Sequence, residues 1–400
     1  MKYRLFTPGP TPVPEEVLAA LSRPIIHHRQ GEFKEIFTRV NEHLKYLFQT
    51  KEEVITLTAS GTGAMEAAVT NLLSAGDTAL YVNGGKFGER WGQVLTRYGV
   101  IAHEIKVDWG SAVLPGAIKE MLRKHPEAKA IFFTHSETST GTAIDLKAIA
   151  GIVRSSSPVL LIVDGVSSVG ALELQMDEWG VDVVLTASQK GLMLPPGLSF
   201  IALSERAWKA ARSSSLPKFY FDLEKALKMI VECQTPWTPA ISLIVGLDVA
   251  LQMIKKEDLR NVWLRHERLA RGLREGCRAL GLETFSTSPS NAITAVRMPE
   301  WLDGETLRRV LREKHLIVVA GGQYHLKGKV IRIAHLGHFD ELDIVELIAA
   351  LGLALQDCAQ DSGAAAAKMF RERFDPSVGM HDVLWEFSKP AQVMFHLKYA

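Results

Sequence analysis

Cysteine is scarce in this chain of 400 residues: Cys233, Cys277 and Cys358 stand far apart and form no C-x-x-C pair. Neither a disulfide framework nor a cysteine zinc site is indicated, and a reduced, cytoplasmic setting is expected. An excess of one charge is also lacking. Lys plus Arg number 46 against 45 Asp plus Glu, a net charge of +1 without a block of five like charges, so no electrostatic footprint for nucleic acid exists. No uncharged apolar run approaches the ~18–20 residues of a membrane span. The N-terminal segment reaches proline before an apolar stretch of signal-peptide length can form, so no export signal is expected. What is present, 47% hydrophobic and 23% charged residues, is ordinary globular composition, and the length suits two or three domains with cores of their own.

Four prolines between Pro8 and Pro14 remove donors and restrict their neighbours, which predicts an extended arm over residues 1–14. Helices are predicted from Pro14-Glu15-Glu16 onward and over Glu32 to Phe48. Short apolar runs then alternate with helical segments: Val54–Thr58, Thr78–Val82, Ala130–Thr134, Val159–Asp164, Val181–Ala187 and Leu198–Ala202. That alternation predicts a mostly parallel sheet with helices on both faces, filling residues 15–255. Beyond a helix over Thr238–Met253 the pattern changes. It becomes helix (Leu259–Leu280), strand (Ala292–Arg297), helix (Gly304–Lys314), strands near Ile317–Ala320 and Val330–Ile333, and a closing helix (Asp340–Leu355). A smaller α+β domain over residues 256–360 is expected. The remaining tail, residues 361–400, carries Leu384, Trp385, Phe387 and Phe395, too apolar for a solvated linker.

Three turns carry the chemistry. The first, Thr58-Ala59-Ser60-Gly61-Thr62-Gly63, joins a strand to a helix, where backbone N–H groups and the Ser60 and Thr62 hydroxyls can cradle a phosphate. Alone it reads equally well as a tight turn without a ligand. A dinucleotide site is disfavoured, because Glu66 stands where the third glycine of G-x-G-x-x-G would be. The second, Leu160-Leu161-Ile162-Val163-Asp164-Gly165, ends an apolar strand in an acid that by itself could be a cap or turn residue. The third, Val183-Val184-Leu185-Thr186-Ala187-Ser188-Gln189-Lys190-Gly191, ends another in a lysine, and most lysines are surface groups. Together, an anion cradle, a carboxylate and an amine at strand carboxyl ends are what pyridoxal phosphate requires.

The sequence resembles the class V, fold-type I pyridoxal-phosphate aminotransferases, and within them the alanine/serine–glyoxylate (serine–pyruvate) group. The resemblance runs from about Leu5 to Leu355. Its residues are Thr7-Pro8-Gly9-Pro10, His28-Arg29, Ser60-Gly61-Thr62-Gly63, Gly85-Lys86-Phe87-Gly88-Glu89-Arg90-Trp91, His135-Ser136-Glu137-Thr138-Ser139-Thr140-Gly141, Asp164-Gly165-Val166-Ser167-Ser168, Ser188-Gln189-Lys190-Gly191 and the stretch from Leu326 to Ile333. It implies an α/β fold with a seven-stranded, mostly parallel sheet in the large domain. Lys190 would carry the cofactor and later move a proton, and Asp164 would hold the pyridine nitrogen. Val166 and Phe87 would pack the two ring faces. Ser60, Gly61, Thr62 and Gln189 would hold the phosphate, Thr138 would bond near the phenolic oxygen, and Arg332 would bind the substrate carboxylate below Gly9. Thr238 would reach the phosphate of a neighbouring subunit, making a homodimer with shared sites; at Thr235 some relatives carry tyrosine.

The implied activity is ping-pong transfer of an amino group from alanine or serine to glyoxylate or pyruvate. Transamination of 2-aminoethylphosphonate or ureidoglycine stays open, as does a redox or assembly subunit; a cysteine desulfurase is disfavoured by the context of the three cysteines. The histidines, His27, His103, His135, His315, His325 and His335 among them, show no metal-ligand spacing and are expected to be structural or solvated.

Overall fold

A computed structural model describes residues 3–369, apart from 157, 364, 366 and 367, so most of the expected tail lies outside the described residues. The large sheet has seven strands, in the order Val54–Leu57, Ser199–Leu203, Val183–Ala187, Leu160–Asp164, Ala130–Thr134, Thr78–Asn83 and Ile101–Lys106. Ser199–Leu203 runs antiparallel to both its neighbours, and the other pairings are parallel. The central strands are buried along their whole length but for the half-buried Thr134, which is why they read as unbroken apolar runs rather than as alternation. Ile101–Lys106 escapes that reading. It is an edge strand, and only Ile105 is buried.

Helices cover both faces. Gly31–Phe48 turns Phe33, Phe37, Val40, Leu44 and Phe48 inward at helical spacing, with Phe33 and Phe37 stacked at 5.6 Å. Gly61–Leu72 packs small residues, Ala64, Ala67 and Ala68, against the sheet, so its backbone approaches closely. Helices Pro115–Lys124, Glu205–Ser213 and Leu223–Val231 have no counterpart in the sequence reading.

The second sheet has five strands, ordered Arg4–Phe6, Ile317–Gly321, Val330–Ala334, Ile293–Arg297 and Glu283–Thr284. Its core includes Leu307, Leu311, Ile331, Ile333, Leu347 and Leu351. The closing helix, Glu341–Asp361, starts at a capping box in which Asp340 and Asp343 accept each other's backbone N–H. The arm is not merely extended. Residues Arg4 to Phe6 pair in parallel with Ile317 to Val319, and Phe6 buries its ring 5.1 Å from that of Phe339. The arm is therefore anchored in one sheet while its prolines lie beside the other.

Because Phe6 is 1% exposed, Phe6→Ala leaves a cavity in the smaller core and should destabilise the protein by about 3–5 kcal/mol. Chemical denaturation measures this; an unmoved midpoint would mean that the arm contributes nothing to that core.

Candidate active site

Register builds the site. Thr134 pairs with Asp164, and Asp164 with Leu185, so three parallel strands end side by side. Such carboxyl ends are where open α/β sheets hold ligands. Asp164 ends its strand buried. Its Oδ1 accepts the Val166 N–H at 2.9 Å, while burial, reinforced by Glu137, pushes the carboxyl up to about 6. Lys190 lies just beyond the next strand, and burial brings its ammonium down to about 8 despite the attraction of Asp164.

The arm lies directly over the lysine. Lys190 Nζ donates to the Pro8 carbonyl, and Thr11 donates through its N–H to the Gln189 carbonyl at 3.3 Å and through Oγ1 to the Lys190 carbonyl at 3.1 Å. Gly9 has φ +152°, and a Cβ there would stand 2.5 Å from Lys190 Nζ. Glycine is required at that position on both counts.

Helix Gly61–Leu72 opens at Ser60 without a side-chain cap, so its first N–H groups are available to a ligand. A Cβ on Gly61 would meet Val166 Cγ2 at 2.8 Å, which fixes how closely this turn lies over the Asp164 loop. Thr62 Oγ1 accepts a bond from Arg90 Nη1 at 3.0 Å, and the Arg90 guanidinium stands 4.8 Å from the Phe87 ring. Gln189 has a buried Oε1 with no partner among the described residues.

Arg332 comes from the other sheet. Its Nε donates to the Gly321 carbonyl at 2.8 Å and its Nη1 to the Thr138 carbonyl at 2.9 Å, which uses two of the five N–H groups. Burial lowers it to about 10, so it stays cationic at neutral pH. Thr138 is itself buried. Thr238 is not gathered here: it is exposed, on the segment where Thr235 Oγ1 donates to the Trp237 carbonyl at 2.7 Å.

Two residues went unassigned in the sequence. Glu137 is buried, and its carboxylate accepts the N–H groups of Phe87 and Gly88 at 2.9 Å and that of Ser139 at 3.1 Å. It caps helix Lys86–Arg97 and thereby fixes Phe87. Arg90 holds Thr62 and Phe87 together. Both stand in stretches that carry the family resemblance, which was the available signal; Glu137 lies three residues past a buried strand, and an arginine in an amphipathic helix usually faces water, so neither showed its role.

The arrangement thus offers an anion cradle, an acid, a desolvated amine and a guanidinium fork around one point. Comparison with known proteins agrees. The family model described as aminotransferase class-V matches residues 4–334. A protein of Synechococcus sp. named soluble hydrogenase, small subunit, is 44% identical over 89% of this chain and 94% of its own length. The serine–glyoxylate aminotransferase of Methylorubrum extorquens is 36% identical over 92% of this chain and 96% of its own. The crystal structure of alanine–glyoxylate aminotransferase from Nostoc sp. superposes with a TM-score of 0.84 at 31% identity, covering 89% of this chain and 96% of that one. With family match, relatives and fold in accord, this chain belongs to the class V aminotransferases, transaminases that work with pyridoxal 5′-phosphate.

Proposed function

We propose that the chain moves the amino group of alanine or serine to glyoxylate or pyruvate by a ping-pong mechanism, the first keto product leaving before the acceptor enters. The observation that carries the reading is the Arg332 fork, locked by two carbonyls with three N–H groups to spare, which suits an α-carboxylate shared by donor and acceptor. Transamination of 2-aminoethylphosphonate, which has no carboxylate, would leave that fork unused.

The residues fit pyridoxal phosphate. The uncapped helix at Ser60 and the Thr62 hydroxyl suit a phosphate, and the Gln189 amide N–H₂ would add a donor beside the lysine. Phe87 and Val166 suit the two faces of a ring, with Thr138 near its phenolic oxygen. When bound, the cofactor supplies an aldehyde to hold the amine and a ring that takes up the electron pair freed at Cα. Asp164, desolvated and with a second oxygen to offer, would hold a proton on the ring nitrogen. Lys190 would hold the aldehyde carbon through Nζ, and its free amine, lowered by burial, would serve as the base for the Cα proton. The Pro8 carbonyl orients its Nζ, and Gly9 lets the arm exclude water above it.

A homodimer is part of the proposal. Phe219, Tyr220 and Val231 are exposed apolar side chains beside the Thr238 segment, and a second copy would cover them. Thr238 would then serve the phosphate of the neighbouring site. The hydrogenase name of some relatives draws no support from the cysteines: Cys233, Cys277 and Cys358 are too few and too scattered in the sequence for a four-cysteine iron–sulfur cluster.

A matrix of amino donors against 2-oxo acids tests the reading, with alanine or serine and glyoxylate or pyruvate expected to give the fastest pairs. Arg332→Ala should lose on the order of 2–5 kcal/mol of transition-state binding, roughly 30-fold to a few thousandfold in kcat/KM, in both half-reactions. Arg332→Lys should recover only part. If carboxylate-free amines react as well as alanine, the aminoethylphosphonate reading takes over.

Cofactor loading depends on neutral Lys190. The cofactor-free protein should bind pyridoxal phosphate faster as pH rises, levelling above about 8, and borohydride followed by peptide mapping should find the cofactor on Lys190. A rate indifferent to pH, or a label on another lysine, would remove Lys190 from the role.

Asp164→Asn should keep the cofactor but lose most turnover, since a neutral amide cannot hold the ring proton. Stopped-flow absorbance of the first half-reaction measures it, and unchanged turnover would count against the assignment.

A further inference from the structure

Far from the strand ends, at the free edge of the seven-stranded sheet, the fold gathers three side chains that the transamination chemistry does not use. His103 lies on the edge strand Ile101–Lys106, and His125 and Glu127 follow helix Pro115–Lys124. Their metal-ligating atoms all lie within 4.8 Å of one another. The His103 and His125 rings stack at 3.8 Å with 21° between planes, and His125 Nδ1 stands 3.3 Å from Glu127 Oε1. The two histidines are 22 positions apart, which is why sequence spacing gave no sign of a ligand set.

We propose that His103, His125 and Glu127 form a binding site for a divalent transition metal of the zinc type, which clips the edge strand to the end of the neighbouring helix. Zinc–ligand bonds of about 2.0–2.2 Å at tetrahedral angles put ligand atoms about 3.3 Å apart. His125 and Glu127 already stand at that spacing. On binding an ion, the His103 ring would turn out of its stack with His125 to aim its nitrogen at the same point, and water would fill the fourth position. Two imidazoles and one carboxylate favour zinc, and disfavour calcium and magnesium, which need more oxygens.

The C-terminal carbonyls of the ten-residue helix add negative potential beside the cluster, which favours a cation there.

The test titrates the holoenzyme with Zn²⁺ against a chromophoric chelator, and with Co²⁺ alone while recording its visible spectrum. One ion per chain is expected, with the intense visible absorption of a four-coordinate Co²⁺ centre and a melting temperature that rises with Zn²⁺ concentration. His103→Gln and His125→Gln should each weaken binding at least about tenfold while melting like the wild type in chelator. Transaminase activity in chelator should be unchanged, since none of the three lies at the strand ends where the cofactor is held. Equal Zn²⁺ affinity in both variants overturns the proposal. Should either histidine variant fail to fold, Glu127→Gln at an exposed position and the wild-type Co²⁺ spectrum decide. Undiminished binding in the first, or a six-coordinate spectrum in the second, overturns it.

Discussion

An ammonium and a carboxylate withdrawn from water at the ends of neighbouring strands set the terms for the rest of this molecule. Lys190 and Asp164 are both buried, and burial is the largest influence on each. A buried pair is tolerated only when further hydrogen bonds and an enclosing wall hold it. Each surrounding element supplies one. The Val166 N–H serves Asp164, the Pro8 carbonyl serves Lys190, and the arm covers the opening. A core helix holds Gly61 against Val166, so the cradle cannot drift from the acid. Precision at the site comes from the sheet register, which sets Thr134, Asp164 and Leu185 side by side across three strands.

Much of this was legible in the sequence, for a definite reason. Fully buried parallel strands write themselves as apolar runs, and the residues that end them, Asp164 and Lys190, stand out because a charge there needs a purpose. The edge strand Ile101–Lys106 was invisible because it is half-solvated and carries His103, Glu104 and Lys106. Helix Pro115–Lys124 was missed although it has proline in its first turn, because its buried residues are only Ile118 and Leu122. The pairing of Arg4 to Phe6 with Ile317 to Val319 could not be read at all: parallel partners more than 300 positions apart leave no local pattern.

Glu137 and Arg90 show a second limit. Each stands in a stretch that carries the family resemblance, yet what it does is set by geometry that the stretch does not show. Glu137 receives three backbone N–H groups, so its charge serves to start a helix at the place where Phe87 is needed. Arg90 is bonded to Thr62 and lies over Phe87, which couples the start of helix Gly61–Leu72 to the start of helix Lys86–Arg97. Substitution of either would displace Phe87, one of the residues proposed to hold the cofactor.

The two shifted groups also say what the cofactor does for the fold. Asp164 at about 6 holds its proton more tightly than an unfolded carboxyl at 3.8, so the cofactor-free chain loses stability as pH rises from about 4 to 6. Lys190 at about 8 releases its proton before an unfolded lysine at 10.5, so stability rises with pH between about 8 and 10.5. Between those windows, near neutrality, both groups are charged and the site is at its most costly. A ligand that brings a cationic N–H to Asp164 and takes Lys190 into a covalent bond relieves both terms at once. The strand ends are thus least stable near neutrality, where a ligand that meets both groups has most to offset by binding the folded chain.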